Sequence, residues 1–224
     1  MPKYCACGQA TSVDHTLTCK VGGYVGLRHN HLRDTEALLM KEIAKDVQIE
    51  PMLLPVGNTQ LAPGTTRQPQ ARLDISARGI RSPCERTFYD VKVTHPNCAS
   101  NRGKSLEQLY EQSEKEKKTK YNDRILQVEK ASFTPLVFTT TGGMGPECEN
   151  LNKRIAQRMA ATTRRKEHYS KIMNHVRTRL RFALLKSVLV AIRGYRGTSR
   201  RGEINITEID FNLIPEGRCY EVNG

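Results

Sequence analysis

One stretch limits what this chain can fold into more than any other: residues 71–94, ARLDISARGIRSPCERTFYDVKVT. Tyr89, Val91 and Val93 alternate with Asp90, Lys92 and Thr94, and a period of two predicts a strand with one apolar and one polar face. Asp90 and Lys92 therefore stand side by side. The run carrying Asp74 predicts a neighbouring strand, with a hairpin turn over residues 79–86. Two carboxylates and an amine on adjacent strands can hold a divalent metal and a water, a donor set suited to phosphodiester hydrolysis. The plainer reading of Asp74 and Lys92 is an ion pair at a sheet edge.

The elements around this stretch alternate. Residues 27–46 predict a helix from Leu32, Leu39, Ile43 and Val47, with Asn30 as its cap. Glu36 falls on that apolar stripe, two turns after His29. A carboxylate there must be paired or coordinating, so it either makes a salt bridge at the core's edge or points into the site. A short strand is expected over 47–51, then a loop to residue 70 of the kind that is often functional or mobile. Ser105, followed by Glu107 and Gln108, predicts a helix start. The helix runs over 106–121 and puts Lys117 and Tyr121 on its apolar side. Residues 131–141 predict a strand. The glycines of Thr141–Pro146 lack the lysine of a phosphate-binding loop, which argues against nucleotide binding; they suit a turn or a backbone close to DNA. Residues 149–193 predict two helices broken near residues 162–165, the second with an apolar face toward the sheet and a basic face outward.

The amino-terminal 25 residues have a different character. Cys5, Cys7, His15 and Cys19 place four soft or borderline donors within fifteen residues, a set suited to structural tetrahedral zinc. The Cys-x-Cys gap is tighter than usual. Seven cysteines is an odd number, and reduced thiols and metal ligands fit better than a disulfide framework. The start, MPKYCACG, has no hydrophobic signal region, so secretion is not expected. No stretch is apolar enough to span a bilayer. The net charge of +13 is local: residues 153–201 carry 15 of the 36 Lys and Arg residues but one of the 23 acids. Such a surface suits a polyanion, most often nucleic acid.

The order of an acid-bearing helix, Asp74, Asp90-x-Lys92, a Lys/Tyr helix and a strand resembles the restriction-enzyme-like PD-(D/E)XK nuclease core, with Leu73 in place of the proline. The CCHC set, Arg28-His29-Asn30, Arg72-x-Asp74, Asp90-Val91-Lys92 and Lys117-x-x-Lys120-Tyr121 together resemble one subgroup, the endonuclease domain of site-specific non-LTR retrotransposon polyproteins. The resemblance covers roughly residues 5–146. It implies an α/β fold: a zinc knuckle at 1–25 and a nuclease core at 26–147, its central mixed sheet flanked by helices. Basic C-terminal helices follow at 148–193, with a flexible basic linker and tail at 194–224. It further implies a nuclear endonuclease that nicks double-stranded DNA, with a reverse transcriptase or retroelement RNA as further partners and no membrane. Asp74, Asp90 and the Val91 carbonyl would hold Mg²⁺ or Mn²⁺, with Glu36 as a further ligand. Lys92 would position the attacking water, and Lys117 and Tyr121 would contact the phosphate. Arg28, His29, Arg72 and Lys120 join Arg177 and Arg181 of the basic helices as expected DNA contacts. The alternative is a DNA-binding module whose site no longer turns over; a role in protein interaction, with zinc only for folding, fits the charge less well.

Overall fold

The structure, a computed structural model, describes residues 3–162 and 168–193. The period-two stretch forms β3 (Arg86–Thr94), an inner strand of a four-stranded sheet with β1 (Lys45–Ile49), β2 (Ile75–Arg78) and β4 (Ser132–Thr139) in spatial order 1-2-3-4. β2 is antiparallel to both β1 and β3. β4 runs parallel to β3, from Thr87 opposite Ser132 to Thr94 opposite Thr139. Parallel neighbours need a crossover, here the helix α3 (Leu106–Arg124). Five α-helices are present among the described residues: α1 (Val13–Thr18), α2 (Tyr24–Lys41), α3, α4 (Pro146–Thr162) and α5 (Tyr169–Arg193). None is long and apolar enough to cross a membrane. The expected tail over 194–224 and most of the expected break between the last two helices lie outside the described residues.

The alternation of β3 sorts the layers. Tyr89 and Val91 join a core with Leu32, Leu39 and Met40 of α2, Ile155 of α4 and Val176 of α5. Phe88 faces the other way, into a core with Tyr121, Phe133 and Leu53. The sheet is therefore covered by α2, α4 and α5 on one side and α3 on the other. Each fully buried Phe or Leu contributes roughly 1.5–3 kcal/mol. β4 contains Pro135 and is an edge strand, where a missing N–H is tolerated. Its outer edge is covered by the glycine turn: Gly145 N–H donates to Val137 O at 2.8 Å and Thr139 N–H to Gly143 O at 2.9 Å.

The helix ends follow local chemistry, with one correction. Ser105 and Gln108 make the expected reciprocal cap at the start of α3. Asn30, expected as a cap, lies inside α2. That helix begins at Tyr24, after Gly23 in the left-handed region (φ 73°), a conformation glycine adopts freely. Tyr24 is buried, so the core-facing stripe reaches further back than Leu27.

The segment 51–70, expected as a functional or mobile loop, is tied to α3. Arg124 is fully buried, and its guanidinium donates to Leu54 O and Gln68 O, each at 2.8 Å, and to Thr66 O at 3.3 Å. Thr66 N–H donates to Lys120 O at 2.9 Å. The amino-terminal segment docks on α2, on α5 and beside the end of β3. Leu17 packs with Tyr24 and Ala191, and His95, at the end of β3, donates from Nε2 to Asp14 Oδ1 at 2.9 Å.

Candidate functional site

Asp74 directly precedes β2. Ile75 pairs with Tyr89, so one step outward the register sets Asp74 opposite Asp90. Asp74 is fixed at both oxygens: His29 Nε2 donates to Oδ1 at 2.9 Å, and the Val91 N–H donates to Oδ2 at 2.6 Å. Asp90 is buried, and Lys117 Nζ stands 2.5 Å from its Oδ2. Lys92, two residues on and on the same face, donates to Glu116 Oε2 at 2.7 Å. The polar face of β3 thus meets consecutive residues of α3, with Asp90 against Lys117 and Lys92 against Glu116.

The electrostatics link these groups. Asp90 binds its proton more tightly than an ordinary aspartate, first because burial penalises its charge and then because Asp74 repels it, while Lys117 and His29 act in the opposite sense. Lys117 lies above the ordinary lysine range: burial pulls it down, and Asp90 more than offsets this. Glu116 is lowered by its bond from Lys92.

Arg33, one turn after His29, is also within electrostatic reach of Asp74 and pairs with Asp34 and Glu50. Glu50 sits in the left-handed region (φ 51°), which is unusual for glutamate. Its N–H donates to the Asp74 carbonyl at 2.9 Å. Arg72 lies 3.9 Å from Glu50 and is half exposed.

Several expected site residues stand elsewhere. Glu36 is fully buried on the α4 side of the sheet, where Asn152 Nδ2 donates to its Oε1 at 2.9 Å and Cys148 Sγ at 3.8 Å. Its partners are thus residues of α4, not Asp74 or Asp90. Burial raises it to about 7, against the lowering effect of those two bonds. Tyr121, expected at the phosphate, is buried against Phe133 with ring centroids 5.7 Å apart. Lys120 lies over the Tyr121 ring at 5.0 Å and is exposed. Arg28, expected to contact DNA, is buried, and its Nη2 donates to Leu17 O at 3.1 Å; it props the amino-terminal segment against α2. His29, expected on the DNA surface, holds Asp74. Arg177 bonds Glu149 Oε1 at 3.0 Å, and Arg181 is exposed on α5.

The roles of His29, Arg33, Glu50 and Glu116 were missed in the sequence. The signal for the first two was their spacing, since residues 29, 33 and 36 share one side of a helix.

The second candidate centre is the Cys/His set. Sγ of Cys5, Cys7 and Cys19 and a ring nitrogen of His15 all lie within 4.8 Å of one another. Cys5 and Cys19 are 3.8 Å apart at sulfur, and Cys7 Sγ is 3.3 Å from His15 Nε2. Bonds of about 2.3 Å to sulfur and about 2.0 Å to nitrogen give tetrahedral edges of roughly 3.3–3.8 Å, so these donors can hold a structural metal such as zinc. Cys5 is brought down to about 6, first by the Cys7 backbone and then by His15, which favours a thiolate. Burial raises Cys19. The geometry is set locally: Gly8 takes φ 87°, and Ser12 caps α1, accepting from the His15 N–H at 3.0 Å. Among the described residues, no other group of three or more His, Cys, Asp or Glu donors comes together in this way, so Asp74, Asp90 and His29 do not form a set as close as the Cys/His one. Set against models of known protein families, curated proteins and solved structures, the chain matches none of them.

Proposed function

We propose that this chain is a metal-dependent endonuclease that cuts DNA phosphodiesters, of the kind carried by non-LTR retrotransposons. The observation that carries the reading is the placement of Asp74 opposite Asp90, with Lys92 on the same face of β3. The carboxylates fit a small divalent cation. Asp90 is buried beside a like charge that raises its proton affinity, and a cation between the two would relieve that repulsion. Magnesium takes one or two carboxylates and keeps several waters, which suits two carboxylates whose imidazole neighbour, His29, is engaged with Asp74. When bound, such an ion supplies Lewis-acid charge and an activated water.

The chain's own groups do the rest. His29 and the Val91 N–H hold Asp74 in one orientation. Lys117 balances Asp90, and on substrate entry its ammonium is placed to turn to the phosphate. Lys92, paired with Glu116, can orient the attacking water. Exposed Lys120, Arg72 and Arg181 supply charge for the DNA backbone.

A second reading is a DNA-binding module without turnover. It draws on the same ion pairs: Lys117 and Glu116 occupy the groups that catalysis would need free. The test is supercoiled plasmid with Mg²⁺, comparing the parent with Asp90→Ala. Nicking by the parent alone supports the nuclease. Equal nicking by both sinks the site assignment. Salt-sensitive DNA retention without nicking favours the second reading.

A further inference from the structure

Tyr89 and Asp90 are successive residues of β3 and face opposite sides of the sheet. Behind Tyr89, away from the carboxylates, lies a cavity of about 430 Å³ between α4 and the β2–β3 turn. Its lining is rich in donors: Arg81 from the turn, Lys153 and Arg154 from α4, and the side-chain amides of Asn150 and Gln157. Tyr89 also lines it, with a buried hydroxyl whose one side-chain neighbour of hydrogen-bonding type is Thr87, a weak contact outside normal hydrogen-bond geometry.

The charge balance matters here, because acids are also near. Glu147 lines the cavity, but its carboxylate is engaged by Lys118. Lys153 is partly offset by Glu149 at 3.3 Å. Glu85 feels both Arg81 and Arg154, yet it is committed chiefly to the Ser132 and Ser82 hydroxyls. Arg81 and Arg154 themselves make no hydrogen bond or ion pair among the described residues. Arg158 fastens the turn in place by donating from Nη1 to Gly79 O, so the Arg81 side is held against α4.

Two uncommitted guanidiniums turned to one cavity repel each other until an anion joins them, and guanidinium forks match phosphate oxygens in pairs. We propose that this cavity is a phosphate-binding site, separate from the carboxylate site. Its ligand carries a phosphate group, either as a free phosphate compound or as the backbone of a nucleic acid.

The test compares the parent, Arg81→Ala/Arg154→Ala and a charge-matched control, Lys41→Ala/Lys45→Ala. Both control lysines are exposed at the far end of α2 and in β1. In the first arm, inorganic phosphate is set against chloride at matched ionic strength, and the melting temperature is read. In the second arm, binding of a labelled duplex is followed as salt is varied. Phosphate is expected to raise the melting temperature of the parent and the control, but not of the arginine variant. If the ligand is nucleic acid, the arginine variant also loses about tenfold or more in duplex affinity, and its salt slope falls by about two against the control. An unchanged slope with a lost phosphate effect assigns the site to a free phosphate compound. The proposal is overturned if phosphate fails to stabilise the parent. It is overturned equally if the control behaves like the arginine variant, since net charge alone would then explain the effect.

Discussion

Lys117 Nζ stands 2.5 Å from Asp90 Oδ2, and both side chains are largely withdrawn from water. The contact joins β3 to the crossover helix that leads to β4, so the residue pair central to the proposed chemistry also fastens the sheet to its cover. In such a place the ion pair itself need not stabilise the fold, but removing one partner leaves a buried charge unanswered.

Lys117→Met is therefore expected to cost about 3 kcal/mol. The double variant Asp90→Asn/Lys117→Met, which leaves no charge behind, should recover most of that loss. Urea unfolding of the parent, the two single variants and the double variant measures the coupling. Additive losses would mean that the two side chains do not sense each other.

How much of this was legible in the sequence depends on what each residue's pattern encodes. The alternation of Tyr89, Asp90, Val91 and Lys92 is a local property and gave both the strand and its polar face. Ser105 with Gln108 gave the start of α3 for the same reason, and the clustering of Cys and His donor types within fifteen residues gave the candidate metal set, although its Cys-x-Cys gap is tighter than usual. His29 was a different case. Its position on α2 fixes a face, but only the packing of α2 against the sheet decides that this face meets Asp74. Glu36 was misplaced toward the site on the same ground: periodicity says that it is buried, not which layer it is buried against. Arg124 follows a run of charged residues that reads as solvated surface, and nothing local distinguishes the one guanidinium that holds the 51–70 segment.

Gly143 tests how closely the glycine turn approaches α3. A β-carbon at this position would stand 2.1 Å from Tyr110 Oη and 2.9 Å from Thr139 Oγ1. Its φ is not positive, so the obstacle is steric and not conformational. Gly143→Ala is expected to cost roughly 1–3 kcal/mol, and adding Tyr110→Phe should return part of the loss by removing the nearest atom. The check is thermal unfolding of the single and double variants. An alanine variant as stable as the parent would show that Tyr110 yields at no cost.

Metal removal should act on the amino-terminal segment first. The purified chain is expected to carry one zinc ion, and a chelator should strip hydrogen-exchange protection from residues 5–19. Protection in β3 and β4 should survive, because those strands have their own core. The end of β3 near His95 is the exception, since His95 is bonded to Asp14 beside the metal set. His15→Ala should reproduce the effect without a chelator. Metal-free protein with full protection at the amino terminus would refute the assignment.

Glu36 gives the stability of this chain a particular dependence on pH. It is fully buried between α2 and α4, faced by Asn152 and Cys148, with Tyr89 on β3 close enough to sense its charge. One carboxyl oxygen, Oε2, and the Asn152 Oδ1 are both buried without partners, an arrangement that favours a proton on the acid. The folded chain holds that proton up to about 7, whereas an unfolded chain releases it near 4.5. The folded state thus binds more protons than the unfolded state between these values. The contribution of Glu36 is fully present below about 4.5 and is lost as pH rises through about 7, by on the order of 3 kcal/mol. Glu36→Gln cannot titrate, so its stability should stay flat across this window relative to the parent. The gap between the two proteins should move in favour of the variant as pH rises, and urea midpoints from pH 4 to 8 would measure it. Parallel profiles would place the proton elsewhere, and Asp90, raised by its own burial, would be the next group to replace.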